Sequence, residues 1–237
     1  MTEFGDDLKQ AYFAVAIAEC FRGDGEIFAS AMGPMPQLGA RLAQASFEPD
    51  LLMSDGVATI VDAAGTCEGW IPFRSVFDTL WSGKRHVMMG ASQIDRFGNQ
   101  NIACIGDWAK PKAQLLGVRG APGNTINHAT SYWVPQQSAK VFVPEVDFVS
   151  GVGYDRAAEV GEAARFHEIR RVVTDLGSFD FATADHGMRL HSRHPWVTID
   201  EIVDATGFDL MIPDDVPESR APTDEELVFV ESFDAGA

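Results

Sequence analysis

The chain has 237 residues, 46% hydrophobic and 22% charged, enough apolar content to bury a core without disulfide or metal staples and too much for intrinsic disorder. Its 18 Lys and Arg against 35 Asp and Glu leave a net charge of −17, which argues against a nucleic-acid partner and against docking on an anionic membrane. Cys20, Cys67 and Cys104 are widely spaced with no C-x-x-C pair, so neither a disulfide framework nor a zinc ribbon is indicated. The opening MTEFGDDLKQ is acidic where a signal peptide would be basic and then apolar. The longest uncharged run, 120–139, is full of Asn, Thr, Ser and Gln, so no membrane span is expected. These features predict a cytoplasmic globular protein.

In chain order, Leu8, Tyr12, Val15, Ala16 and Cys20 recur at three- and four-residue steps and predict a first helix, with Gly23 as its stop. A short apolar piece at 26–29 leads to GPMPQLGARLAQ, where Pro36 can sit near a helix start. Leu51-Leu52-Met53 reads as a buried strand ending in Ser54-Asp55-Gly56. A helix around 76–81 is expected before a strand at 86–89, then strands at 102–105, 114–118, 132–134 and 141–143, each bounded by Gly, Pro or Asn. Residues 151–168 read as a loop with a short helix, and RRVVTD and GMRLHS as strands. Thr198-Ile199-Asp200-Glu201 and Thr223-Asp224-Glu225-Glu226 are capping boxes that open two helices, with Gly207 closing the first. The pattern predicts a single α/β domain over 1–237 with a largely buried sheet, residues 213–237 forming an acidic surface-wrapping tail.

Four segments are candidates for chemistry. In GVRGAPGNTINH, Gly120, Gly123 and Asn124 can adopt positive φ and turn consecutive N–H groups into one concavity suited to a phosphate or an oxyanion. The alternative, and the commoner one, is a tight turn between strands. His128 follows this turn, where a structural histidine competes with a binding one. In GASQIDRFGNQN, Asp95, Asn99 and Asn101 could orient a ligand, but Gly98-Asn99 favours a structural hairpin. Ser54-Asp55-Gly56 leaves a strand where open α/β sheets place their sites, although a turn-capping Asp reads equally well. His186, His191 and His194, flanked by Arg189 and Arg193, match no zinc spacing and read as a polar surface or subunit-contact cluster. No G-x-S-x-G elbow or Walker-type loop occurs, which sets aside serine-hydrolase and P-loop chemistry.

Several stretches, FRGDGEIFASAMGPMPQLGARLAQ, ASQIDRFGNQNIACIG, GVRGAPGN, VVTDLGSFDF and HPWVTIDEIVDATGFDL, together resemble the β chain of class I coenzyme A transferases. The resemblance spans nearly the whole chain in order. It is closest to the glutaconate-type, two-chain branch, and closer still to β subunits of actinobacterial steroid degradation. It implies an open α/β fold with a parallel-rich sheet flanked by helices, an obligate α-type partner, often as α2β2, and an active site at the α–β contact. It also implies acyl-CoA thioester substrates, with CoA entering as part of the substrate and no separate cofactor or metal.

In the transferases of this family a β-chain glutamate attacks the thioester, giving an anhydride and then a glutamyl-CoA thioester. By resemblance that glutamate follows the strand matching Leu51–Met53, and here its place is held by Ser54. Serine without an adjacent base is a weak nucleophile. Asp55 is one residue away and one methylene shorter, and a misplacement of about 1 Å costs roughly a hundredfold in rate. The departure agrees with a branch that resembles hydrolases, which opens the last carbocyclic ring of a steroid-derived CoA ester by retro-Claisen cleavage. That reaction needs a general base and oxyanion stabilisation rather than a covalent glutamate. The resemblance assigns the acid–base Glu and its Arg partner to the α chain, leaving Ser54, Asp55 and the Gly120–Asn124 turn to shape the pocket. Two alternatives stay open: a true acyl-CoA transferase β chain using Asp55 or a recruited carboxylate, and a non-catalytic scaffold for the α chain.

Overall fold

The computed structural model describes residues 5–54, 59–72, 75, 78, 84–118 and 120–233. In chain order the first elements are α1 (Asp6–Ala18), β1 (Phe28–Ala31), α2 (Pro34–Ser46), β2 (Leu52–Ser54), β3 (Thr59–Val61), β4 (Cys67–Trp70) and β5 (Arg85–Met89). Two short hairpins follow, β6 (Gln93–Ile94) with β7 (Gln100–Asn101) and β8 (Cys104–Ile105) with β9 (Ala113–Gln114). Then come α3 (Ala121–Asn127), β10 (Ala129–Val134), α4 (Tyr154–Val160), β11 (Glu168–Thr174), β12 (Gly177–Asp180), β13 (Arg189–Arg193), α5 (Ile199–Asp204) and α6 (Asp224–Ser232). The chain forms two compact units, one made of the part up to Met89 with the segment from Ser219, the other of Gly90–Glu218.

In the first unit the strand order is β5-β1-β2-β3-β4. β1 runs parallel to both β2 and β5, and β2–β3–β4 continue as an antiparallel meander. All five residues of β5 are buried, Arg85 and His86 along with Val87, Met88 and Met89, as expected of a parallel strand covered on both faces. α1 and α2 supply the cover. α1 buries Ala11, Tyr12, Ala14, Val15, Ile17 and Ala18, and α2 buries Leu38, Ala40, Leu42 and Ala43. Each larger apolar side chain so buried contributes roughly 1.5–3 kcal/mol. The two helices approach closely because Gly39 has no side chain: a Cβ there would lie 2.2 Å from Ile17 Cγ2. Pro34 starts α2 directly after Gly33, whose φ of 104° turns the chain out of β1. At the opposite end α6 returns to the same unit, where Arg220 forks onto Glu226 at 2.6 and 2.7 Å and reaches Glu19 at 2.9 Å.

In the second unit β10 pairs parallel with β11, and β12 and β13 add antiparallel. Tyr132, Phe142, Phe179, Met188 and Leu190 form its buried core. The sheets are parallel-rich and helix-flanked, as the sequence predicts. Both capping boxes are present: Thr198 and Thr223 accept from the N–H of Glu201 and Glu226, whose carboxylates answer to the threonine N–H.

Several local expectations are corrected. Residues 141–143 form no strand; Phe142 makes an isolated bridge to Ile94, and the apolar run marks burial instead. The expected strands at 102–105 and 114–118 shrink to the two-residue β8 and β9. β3, β4 and β12 arise where none was predicted. The expected helix at 76–81 lies outside the described residues except for Asp78, which is helical. Among the described residues, no helix is long and apolar enough to cross a membrane.

Candidate functional site

Ser54 is the last residue of β2, at the carboxyl end of a strand parallel to β1. It is half-buried and pairs across to Ile60 of β3. The same edge of the sheet carries the end of β1, where Met32 is 47% exposed ahead of Gly33 and α2. Ser54 therefore stands where the carboxyl ends of parallel strands leave an open α/β sheet, the usual place for a ligand. Asp55 and Gly56, the other two residues of that motif, lie outside the described residues.

The glycine segment is built differently from the expected nest. Gly120 has φ −87° and ψ 0°, and Gly123 and Asn124 lie inside α3 in helical conformation. The positive φ falls instead at Gly117, at 87°. The structure brings Gly120, Asn124 and His128 onto successive helical turns: Asn124 N–H donates to Gly120 O at 2.9 Å and His128 N–H to Asn124 O at 3.0 Å. Asn124 and His128 are buried, so both belong to the packed junction of α3 and β10. Thr125 Oγ1 ties that junction down by donating to Ala121 O at 2.9 Å and accepting from Val152 N–H at 3.0 Å. Gly123 is different. A Cβ on it would meet nothing within 4 Å, so no contact among the described residues requires a glycine there.

GASQIDRFGNQN is a structural hairpin. Gly98 has φ 83°, and Asp95 Oδ1 accepts the N–H of Phe97 and of Asn99, each at 3.0 Å. Asn99 Nδ2 donates to both Asp95 and Asp155, while Asn101 Nδ2 donates to Gln93 Oε1 and Cys104 O. Burial pushes the Asp95 carboxyl up to about 6 despite the hydrogen bonds from Asn99 and Phe97. Side chains so occupied hold the loop rather than a ligand.

The three histidines form no surface cluster. His194 is fully buried with Nε2 3.0 Å from Thr174 O, and burial lowers its pKa to about 4. His186 stacks on Tyr154 at 4.6 Å in a left-handed conformation, φ 53°. His191 lies 3.3 Å from Asp180. Burial alone would raise Asp180, yet His191 and the forked Arg189, at 2.6 and 2.8 Å, hold it far below the usual carboxylate range.

Sequence reading missed one pair in the first unit. His86 Nδ1 lies 2.7 Å from Asp24 Oδ2, with both side chains fully buried, and the imidazole packs against Phe21 at 4.5 Å. Asp24 in the GDGE turn carried no signal for this, because its partner is 62 residues away.

The Coenzyme A transferase family model matches residues 76–205. The cholesterol ring-cleaving hydrolase IpdB subunit of Rhodococcus jostii (strain RHA1) is 53% identical over 228 residues, covering 94% of this chain and 90% of that protein. The IpdB subunit of Mycobacterium tuberculosis is 50% identical, covering 92% and 90%. The crystal structure of Rhodococcus jostii RHA1 IpdAB superposes with a TM-score of 0.90 at 51% identity, over 94% of this chain and 93% of that one. With its parallel-rich sheet and these matches, this chain belongs to the coenzyme A transferase family.

Proposed function

We propose that this chain is the β-type subunit of a two-subunit hydrolase that opens the last carbocyclic ring of a steroid-derived CoA thioester, in the cytoplasm, with an α-type chain supplying the acid–base group. The observation that carries this reading is the 53% identity, over 94% of the chain, to a cholesterol ring-cleaving hydrolase subunit. Serine in place of a carboxylate at position 54 supports it chemically. Water adds to the ring ketone, the bond to the carbon flanked by the second carbonyl breaks, and that carbon takes a proton. The ring ketone leaves as a new carboxylate and the thioester survives. The step needs a base to deprotonate water and donors for the oxyanion, not a carboxylate nucleophile. Ser54 and Asp55 are this chain's candidates for contact with the acyl part of the substrate, and Gly123, with Gly120, Asn124 and His128 setting its backbone, is the candidate for contact with the CoA part. The three unbridged cysteines are in keeping with a reducing compartment.

Co-expression with an α-type chain and assay on a β-keto cyclic CoA ester in ¹⁸O-water tests this. The expected product keeps its CoA and carries one solvent oxygen in its new carboxylate. Exchange of CoA into an added carboxylic acid, with a β-chain carboxylate trapped by borohydride, would overturn the reading in favour of a transferase. Full activity of the α-type chain alone would make this subunit a scaffold.

A further inference from the structure

Strand register places two apolar side chains around Ser54 on one face of the sheet. β1 and β2 pair Phe28 with Leu52 and Ala29 with Met53, so one residue on, Ser30 is level with Ser54 and shares its face. Met32 follows Ser30 by two residues and returns to that face. Its N–H still pairs with β5, donating to Met88 O at 3.0 Å. On the other side, Ile60 of β3 is the direct antiparallel partner of Ser54, which puts its side chain on the same face. Met32 and Ile60 thus flank the serine from its two neighbouring strands.

Neither side chain is fully covered: Met32 is 47% exposed and Ile60 is half-buried. A lone exposed apolar residue needs no explanation, but Met32 is held from both sides. The bond to Met88 fixes its approach, and Gly33, at φ 104°, turns the chain directly into α2. Met32 therefore stands about 6.6 Å past the level of Ser54, on a strand about 4.8 Å away. That is within reach of a group bound beside the serine hydroxyl. A hydroxyl between two uncovered apolar side chains suits a ligand with a polar centre in a hydrocarbon frame.

We propose that Met32 determines specificity for the acyl group: with Ile60 it grips hydrocarbon carried by the reacting ring, while Ser54 lies against the ring's polar centre. This rests on the hydrolase reading given above. The unbranched thioether side chain adapts to an irregular saturated skeleton. In such a contact one methylene changes discrimination by about tenfold or more.

The test uses the assembled two-subunit enzyme and two substrates, 2-oxocyclohexanecarboxyl-CoA and its homologue with a hexyl chain on the ring. The parent enzyme should open both, with the higher kcat/KM for the hexyl ester. Met32→Gln, similar in length but polar, should lower the ratio of kcat/KM, hexyl over unsubstituted, at least tenfold. Met32→Leu should hold the parent's ratio. An unchanged ratio in Met32→Gln overturns the inference. Failure of that variant to assemble with the α-type chain also overturns it, by making Met32 a subunit contact. A parent enzyme that opens neither ester overturns the hydrolase reading, and this inference falls with it.

Discussion

Ser54 of β2 and Ile60 of β3 face each other as antiparallel partners, and their pairing sets where the chain leaves the sheet. Ser54 ends the strand half-buried, and the role proposed for its hydroxyl is a hydrogen bond to the substrate rather than attack. Ser54→Ala should therefore lower kcat by less than about tenfold, the loss of a typical hydrogen bond, and leave the assembly intact. A fall of 10⁴ or more, measured as ring-opened product per assembled enzyme, would give the hydroxyl a direct part in the chemistry.

Gly123 is the third residue of α3, and glycine within a helix costs up to about 1 kcal/mol against alanine, yet nothing among the described residues would touch its Cβ. A destabilising residue without an internal reason fits an approach from outside. Gly123→Ala should raise the melting temperature or leave it unchanged, while lowering kcat/KM for the CoA ester at least tenfold. Unchanged turnover would remove this backbone from the substrate's path.

Gly39→Ala puts a methyl carbon 2.2 Å from Ile17 Cγ2 and 3.0 Å from the Ala14 carbonyl. The side chain could shift, but the carbonyl belongs to the backbone of α1, so the two helices must separate. Overpacking of this kind costs about 1–3 kcal/mol. Ile17→Ala, itself destabilising by about 2–5 kcal/mol, should reclaim part of that cost in the double variant, giving a favourable coupling in a denaturant-unfolding cycle. Additive losses would place the strain at the Ala14 carbonyl alone.

What could be read from the sequence is what short-range chemistry determines. The periodic face of α1, Pro36 near the start of α2, the turn at Gly98 and the boxes at Thr198 and Thr223 each depend on residues within a few positions of one another. Failures came where distant partners decide. Val141–Val143 has strand composition, but its backbone serves Ile94, through Ile94 N–H to Val141 O and Val143 N–H to Ile94 O. Gly120 and Gly123 suggested positive φ because glycine permits it, whereas the following Ala121–Asn127 run hydrogen-bonds as a helix. His194 read as a surface residue from its Arg neighbour, while the fold carries it to the carbonyl of Thr174, 20 residues away. Ser54 was legible as a departure from the family pattern, but its environment depends on β3, which carried no clear strand signal.

Two buried groups should give the enzyme opposing acid responses. His194 has a folded pKa of about 4 against 6.5 in a free chain, so between those values the unfolded chain holds more protons. Stability from His194 is thus present above pH 6.5 and lost as pH falls towards 4. Asp95 has a folded pKa of about 6 against 3.8, so here the folded state holds more protons. Its contribution is fully present below pH 3.8 and lost as pH rises through 6. Each effect is on the order of 3 kcal/mol across its window, and in the parent protein they largely offset one another near pH 5. Variants separate them. His194→Gln, whose amide can still donate to the Thr174 carbonyl, should gain stability relative to the parent as pH falls from 6.5 to 4. Asp95→Asn should lose stability relative to the parent from pH 6 to 4. Chemical denaturation at half-unit pH steps, plotted as variant minus parent, isolates each group from every other titration in the molecule. A flat difference curve for His194→Gln would mean that the imidazole is protonated within the core, and a flat one for Asp95→Asn that the carboxylate is already fully compensated by Asn99.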